Sequence, residues 1–225
     1  MNDKTIVFKQ CPLTVETIHR LNGFALAELV AIKRACRMAY VHSIDGLGEF
    51  RRGMVYLRHS LHKPPAAADV EGEINMLLDH VRKDWTQRDT AWLAGLLLWR
   101  LNWIHPYRDG NGRTARDACR KLAAAHSGCA IGPGFVRKLV ADRRAYYAAL
   151  NSADAAFVEK STLDAGAEAM VNFMQTHLAK HSIARISINA ALSSPFQKFA
   201  HVLFRLPASS SGSASNDHAC ARPGH

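Results

Sequence analysis

From Thr90 to Ile104 the chain reads Thr-Ala-Trp-Leu-Ala-Gly-Leu-Leu-Leu-Trp-Arg-Leu-Asn-Trp-Ile, apolar on nearly every side of a helix. A helix that is hydrophobic all round has to be surrounded by other elements. Its uninterrupted apolar run, Ala91 to Trp99, falls far short of the roughly 20 residues that span a bilayer. The pattern therefore predicts the central helix of a bundle, with Asp89 or Thr90 as its N-cap and Trp92, Trp99 and Trp103 in the core. The rest of the chain supplies partners. Val70 to Trp85 carries Ile74, Leu77, Leu78 and Val81 on one helical face. Residues 14 to 41 read as one or two helices, broken at Asn22-Gly23, and Asp142 to Leu150 and Leu163 to Lys180 as further helices. Residues 42 to 69 interrupt this with Gly46, Gly48, Gly53 and Pro64-Pro65, and Met54-Val55-Tyr56-Leu57 is the one short strand expected. Gly128 to Gly134 reads as a loop, and residues 181 to 206 as locally helical without caps. The Ser, Ala and Gly composition beyond about residue 207 predicts disorder. The fold class expected is mainly α.

Directly after the central helix comes His105-Pro106-Tyr107-Arg108-Asp109-Gly110-Asn111-Gly112-Arg113-Thr114-Ala115-Arg116. Pro106 disfavours the α region at His105, so the helix is expected to stop near Ile104. Gly110-Asn111-Gly112 is a turn signal, and such a turn can aim backbone N–H groups inward as an anion-binding nest. Arg113 to Ala125 is helix-forming, which sets the turn at a helix N-terminus where phosphate is favoured. Arg113 and Arg116 share a face of that helix and can grip phosphate oxygens with forked hydrogen bonds. A carboxylate beside polyphosphate, Asp109, suits Mg²⁺. A neutral imidazole is available near pH 7, and His105 can take a proton from an incoming hydroxyl. Asp-Gly-Asn-Gly alone is an ordinary turn. Eight positions at fixed offsets serving one chemistry are not.

These residues resemble the signature of the Fic family, His-Pro-Phe-x-Asp/Glu-Gly-Asn-Gly-Arg-x-x-Arg, with Tyr107 in place of Phe. The resemblance implies a compact Fic-type helical bundle with a short β-hairpin flap. It implies transfer of AMP from ATP to a Ser, Thr or Tyr hydroxyl of a target protein, called AMPylation. His105 is then the base, Asp109 the Mg²⁺ ligand, and Gly110, Asn111 and Gly112 the anion nest, with Asn111 placing the α-phosphate. Arg113 and Arg116 hold the β- and γ-phosphates. Doc-type kinase toxins resemble this motif but carry Lys near the position of Gly112, so Gly favours AMP transfer. Uridylyl, guanylyl or phosphocholine transfer uses similar motifs. Gly48-Glu49-Phe50-Arg51 to Leu57 resembles the family's flap segment, so Arg52, Gly53, Met54, Val55, Tyr56 and Leu57 are expected to dock the target by β-augmentation. Tyr147 and Asp154 are matched to the adenosine pocket. The implied organisation is an N-terminal helical extension over 1–23, a Fic domain over 24–180 with its flap at about 48–60 and active-site loop at 105–116, and a C-terminal extension over 181–225.

Composition narrows the alternatives. The five cysteines form no Cys-x-x-Cys pair, which argues against a disulfide framework or a structural zinc site. No further His cluster completes a metallohydrolase around His105 and Asp109. The net charge is +10, and nine Lys or Arg residues lie between Arg108 and Arg144, which can steer a nucleotide or an acidic target. There is no run of five basic residues and no nucleic-acid-binding motif, so a nucleic-acid partner is not expected. A purely binding regulator has no use for an intact base at His105. Met1 to Gln10 carries no signal-peptide pattern, so the cytoplasm, or a host cell reached by a signal-less route, is the expected location, with no membrane partner. The family's inhibitory Ser/Thr-x-x-x-Glu pattern precedes none of the seven glutamates, so restraint is expected from a separate antitoxin-like protein, if from any.

Overall fold

In a computed structural model the chain is mainly helical, and the structure describes residues 10–23, 48–57, 62–179 and the strand 182–185. Helix α1 covers residues 15–23, with Asn22 and Gly23 in its last described turn. A 3₁₀ turn, Ala67–Asp69, leads into α2 (Val70–Asp84). Then come α3 (Thr90–Ile104), α4 (Asn111–Ser127), β1 (Cys129–Ile131), α5 (Gly134–Ala141), α6 (Arg143–Lys160), α7 (Leu163–Ala179) and β2 (Ser182–Arg185). None of the described helices is long and apolar enough to cross a membrane.

Helix α3 is the centre, as its composition requires. Every residue from Ala91 to Leu101 is buried, and so is Ile104. Asp89 caps its N-terminus, accepting a hydrogen bond from the Trp92 N–H at 2.7 Å. Helix α2 lays Val70, Ile74, Leu77, Leu78 and Val81 against the core. Helix α7 packs on α3 through small residues. A Cβ on Gly166 would stand 2.2 Å from the Trp99 ring, and one on Gly95 2.9 Å from Met170. Glycine is required at both for the two helices to approach this closely. Trp99 itself is 1% exposed, and its indole N–H donates to Asp154 of α6 at 2.7 Å.

Four readings of the sequence are corrected. Residues 129–131 are a strand rather than loop, paired antiparallel with 182–185 in the register Cys129↔Arg185, Ala130↔Ile183, Ile131↔Ser182. The start of the stretch read as helical after residue 181 is therefore a strand, and a three-residue partner is too short to show alternation. Helix α6 runs past Leu150 to Lys160 because Ala153 still faces the core. In the flap, residues 54–57 carry no ladder pairing, so the strand expected there is a loop in its described part. A strand needs a hydrogen-bonded neighbour, and none lies beside it among the described residues. Residues 1–9, 24–47, 58–61, 180–181 and 186–225, with the extension and tail expectations that fall on them, lie outside the described residues.

Candidate active site

The motif begins where α3 stops. His105 is the C-cap and stops the helix in the left-handed region, φ 52° and ψ 58°. It avoids the right-handed helical region as Pro106 dictates, but by the αL route that a residue with a side chain adopts only under constraint. Arg51 supplies the constraint. Its backbone N–H donates to Pro106 O at 2.8 Å, and its Nε donates to His105 O at 2.9 Å. Its terminal nitrogens donate to the carbonyls of Gly53, Pro65 and Ile104. A buried cation thus satisfies the carbonyls at a helix C-terminus, where positive charge is favoured.

The histidine ring is tuned by the same surroundings. Its Nδ1 lies 3.2 Å from Asn102 O, and a carbonyl can only accept, so Nδ1 carries the proton. Nε2 is left as the basic nitrogen. Burial holds the pKa of His105 below the usual histidine value, outweighing the bond to Asn102; Arg51 and His62 add to the lowering and Asp109 opposes it. The ring is neutral at physiological pH.

The loop is built from side chain to backbone. Asn111 Oδ1 accepts from Tyr107 N–H and Asn111 Nδ2 donates to Tyr107 O, both at 2.8 Å. Helix α4 consequently begins at Asn111, two residues earlier than its composition suggests. Gly110, at φ 80°, makes the turn. Its carbonyl accepts the first helical bond, from Thr114 N–H at 2.9 Å. The N–H groups of Asn111, Gly112 and Arg113 therefore precede the helix's first internal hydrogen bond, as anion-binding N–H groups do. Asn22 of α1 fastens the loop from outside. It donates to Asp109 O at 2.9 Å and to Thr114 Oγ1 at 3.2 Å, and accepts from Gly48 N–H. Tyr107 is buried, and its hydroxyl finds a partner 3.1 Å away in His19 Nδ1. Phe50 closes this cluster, its ring 4.4 Å from His19 and 5.9 Å from Tyr107.

Arg113 and Arg116 emerge together from α4. Arg113 Nη2 is 3.5 Å from Asp109 Oδ1, which also accepts from Gly110 N–H. The Arg116 guanidinium lies 5.9 Å from the Tyr146 ring, and its Nε is buried without a hydrogen-bond partner. A buried orphan donor next to helical N–H groups that lie before the first internal hydrogen bond suits a bound anion. A Cβ on Gly112 would stand 3.0 Å from Arg116 Nη1, so a side chain there would press on that arginine. Tyr147 is half exposed beside Arg143, whereas Asp154 is engaged by Trp99 at the α3–α6 seam. Of the flap residues, Met54 and Tyr56 are 77% and 84% exposed. Arg52, Gly53, Met54 and Val55 line a cavity of about 400 Å³ together with Arg108 of the motif.

Local spacing did not reveal Arg51, Asn22 or His19. Each acts on a residue 54 to 88 positions away. The one available signal was the extra hydroxyl of Tyr107, which demanded a partner without naming it. Among the described residues, His80, Asp84 and Asp164 form another polar cluster, a clip between α2 and α7 with Arg88 bonded to Asp164 at 2.9 Å.

Residues 12–123 match the model of the Fic/DOC family. The chain is 30% identical over 138 residues to a protein adenylyltransferase Fic of Nematostella vectensis, covering 61% of this chain and 30% of that protein. It is 35% identical over 107 residues to a protein adenylyltransferase Fic of Aedes aegypti, covering 44% and 20%. The chain thus spans less than a third of the length of these curated relatives. A solved segment of Fic-1 from C. elegans aligns with 75% of this chain and 44% of its own, at 19% identity and a TM-score of 0.45. The motif loop, the neutral histidine and the family match converge: the chain belongs to the Fic/DOC family.

Proposed function

We propose that this chain is a protein adenylyltransferase. It transfers AMP from ATP to a Ser, Thr or Tyr hydroxyl of a target protein. The observation that carries this reading is His105, whose Nδ1–H is committed to Asn102 O and whose buried ring is held neutral. In the reaction His105 Nε2 takes the proton of the target hydroxyl as its oxygen bonds to the α-phosphorus. The bond from that phosphorus to the bridging oxygen breaks, and pyrophosphate leaves. The N–H groups of Asn111 and Gly112 and the guanidinium groups of Arg113 and Arg116 are assigned to the phosphates, stabilising charge without having to reorganise. Asn111 contributes backbone, its side chain being engaged by Tyr107. Asp109, a partly exposed carboxylate at the head of α4, is assigned to the Mg²⁺ that accompanies ATP and neutralises its polyphosphate. That the two named relatives are adenylyltransferases supports the choice of AMP. Restraint by a separate inhibitory protein belongs to the same reading.

The test is to label a lysate with ATP carrying radiolabel at the α- or the γ-phosphate, using wild type and His105→Ala. Bands from the α-label alone, reduced at least about 10²-fold in the variant, are expected. Nucleotide binding is expected to be retained in His105→Ala. Bands from the γ-label would make the chain a kinase and sink the proposal.

A further inference from the structure

The flap cavity has a composition that the transfer reaction does not use. Its apolar lining is Phe50, Met54 and Val55, and Arg52 and Arg108 stand beside them. Its one carboxylate, Glu49, stands 3.6 Å from Arg52 with both side chains largely exposed, a contact of little strength. Arg108 is exposed and has no ion-pair partner among the described residues. The walls are fixed relative to the base. Arg108 lies in the same loop, three residues after His105, and the bond from Arg51 N–H to Pro106 O ties the flap segment to that loop. Arg51 also borders the cavity, but its side chain is spent on four carbonyls, so Arg52 and Arg108 are the cations left to face a ligand.

We propose that this cavity selects the target by charge: the protein modified presents its hydroxyl beside an acidic side chain, which Arg52 and Arg108 receive while an apolar neighbour rests on Met54 and Val55. The inference rests on the adenylyltransferase reading for what happens to the hydroxyl, but not for the recognition itself. Two arginines and one weakly held carboxylate leave the lining positive, and charge complementarity sets which partner is accepted and how fast it arrives. Because both arginines are exposed, the preference weakens as salt rises.

The experiment measures equilibrium binding of fluorescent peptides to the full chain without nucleotide. The peptides present a threonine flanked by aspartate, asparagine or lysine. Wild type is expected to bind the aspartate form about fivefold tighter than the asparagine form, with the lysine form weakest. The double variant Arg52→Glu/Arg108→Glu reverses that order. Arg108→Gln, a milder change at an exposed position, narrows the ratio. Lys160→Glu, at the far end of α6, alters net charge but keeps the order. Equal affinity of the three peptides for wild type, or an unchanged order in the double variant, would overturn the proposal. Labelling the same peptides with α-labelled ATP separates the two readings. A charge preference in binding with no nucleotide transferred strikes the adenylyltransferase reading and leaves this one standing. Transfer with no charge preference does the reverse.

Discussion

The two ends of α3 are solved in opposite ways. At the N-terminus, Asp89 caps the Trp92 N–H three residues on, in the extended conformation usual for an N-cap. At the C-terminus, His105 sits in the left-handed region, and its carbonyl is held by Arg51 from 54 positions away. The first end is local, cheap and replaceable. The second is a conformation the local chain does not favour, imposed by a buried side chain from another part of the fold. Strain of that kind persists only where surrounding structure over-determines it, and such sites cluster where chemistry is done. The difference separates what keeps α3 folded from what keeps it poised.

Substitutions at each end break the comparison in graded steps. Arg51→Met should cost the most, about 3 kcal/mol, because carbonyls it serves are left buried and unpaired. Chemical denaturation measures that loss, and transfer activity should fall with it. The same variant has a signature in pH. Wild-type His105 is held below the ordinary histidine value of about 6.5, by burial first and by Arg51 as well. The neutral ring is the working form, so wild-type kcat/KM should decline only below that pH. Removing the Arg51 charge should move the decline to higher pH. A profile that does not move would show that Arg51 has no electrostatic hold on the base. Asp89→Ala should cost about 1 kcal/mol of stability and leave kcat/KM untouched. If transfer fell as well, the two ends of α3 would not be separable. Tyr107→Phe is the smallest, about 0.5 kcal/mol, since it restores the family's usual ring and loses one hydroxyl bond to His19. A loss of several kcal/mol in thermal melts would mean that the His19 contact carries the loop.

This contrast also explains what the sequence disclosed. The central place of α3 followed from apolar residues on all its faces, and Ile104 as its end from the proline two positions on. Ile74, Leu77, Leu78 and Val81 were legible as one helical face. These signals repeat or act over a few residues. The start of α4 was missed by two residues because Asn111 was read as part of a turn, whereas its side chain pairs with Tyr107 and draws it into the helix. Asn22 was read only as a break signal, whereas its side chain is buried and binds the motif loop. The β1–β2 pair joins segments some 50 residues apart, and neither strand is long enough to announce itself. The motif listed the reacting groups. The groups that hold them in place had no spacing to be read from.

Arg51 reaches in two directions at once, to Gly53 in the flap and to Ile104 and His105 at the end of α3. One side chain is therefore shared between the surface that a target would meet and the residue that would deprotonate it. Any ligand whose binding shifts Gly53 changes the free energy of the His105 conformation, and a nucleotide that settles the motif loop alters the flap by the same amount, since such coupling is reciprocal. Occupancy of either site would thereby bias the other through a single guanidinium, with no moving domain required.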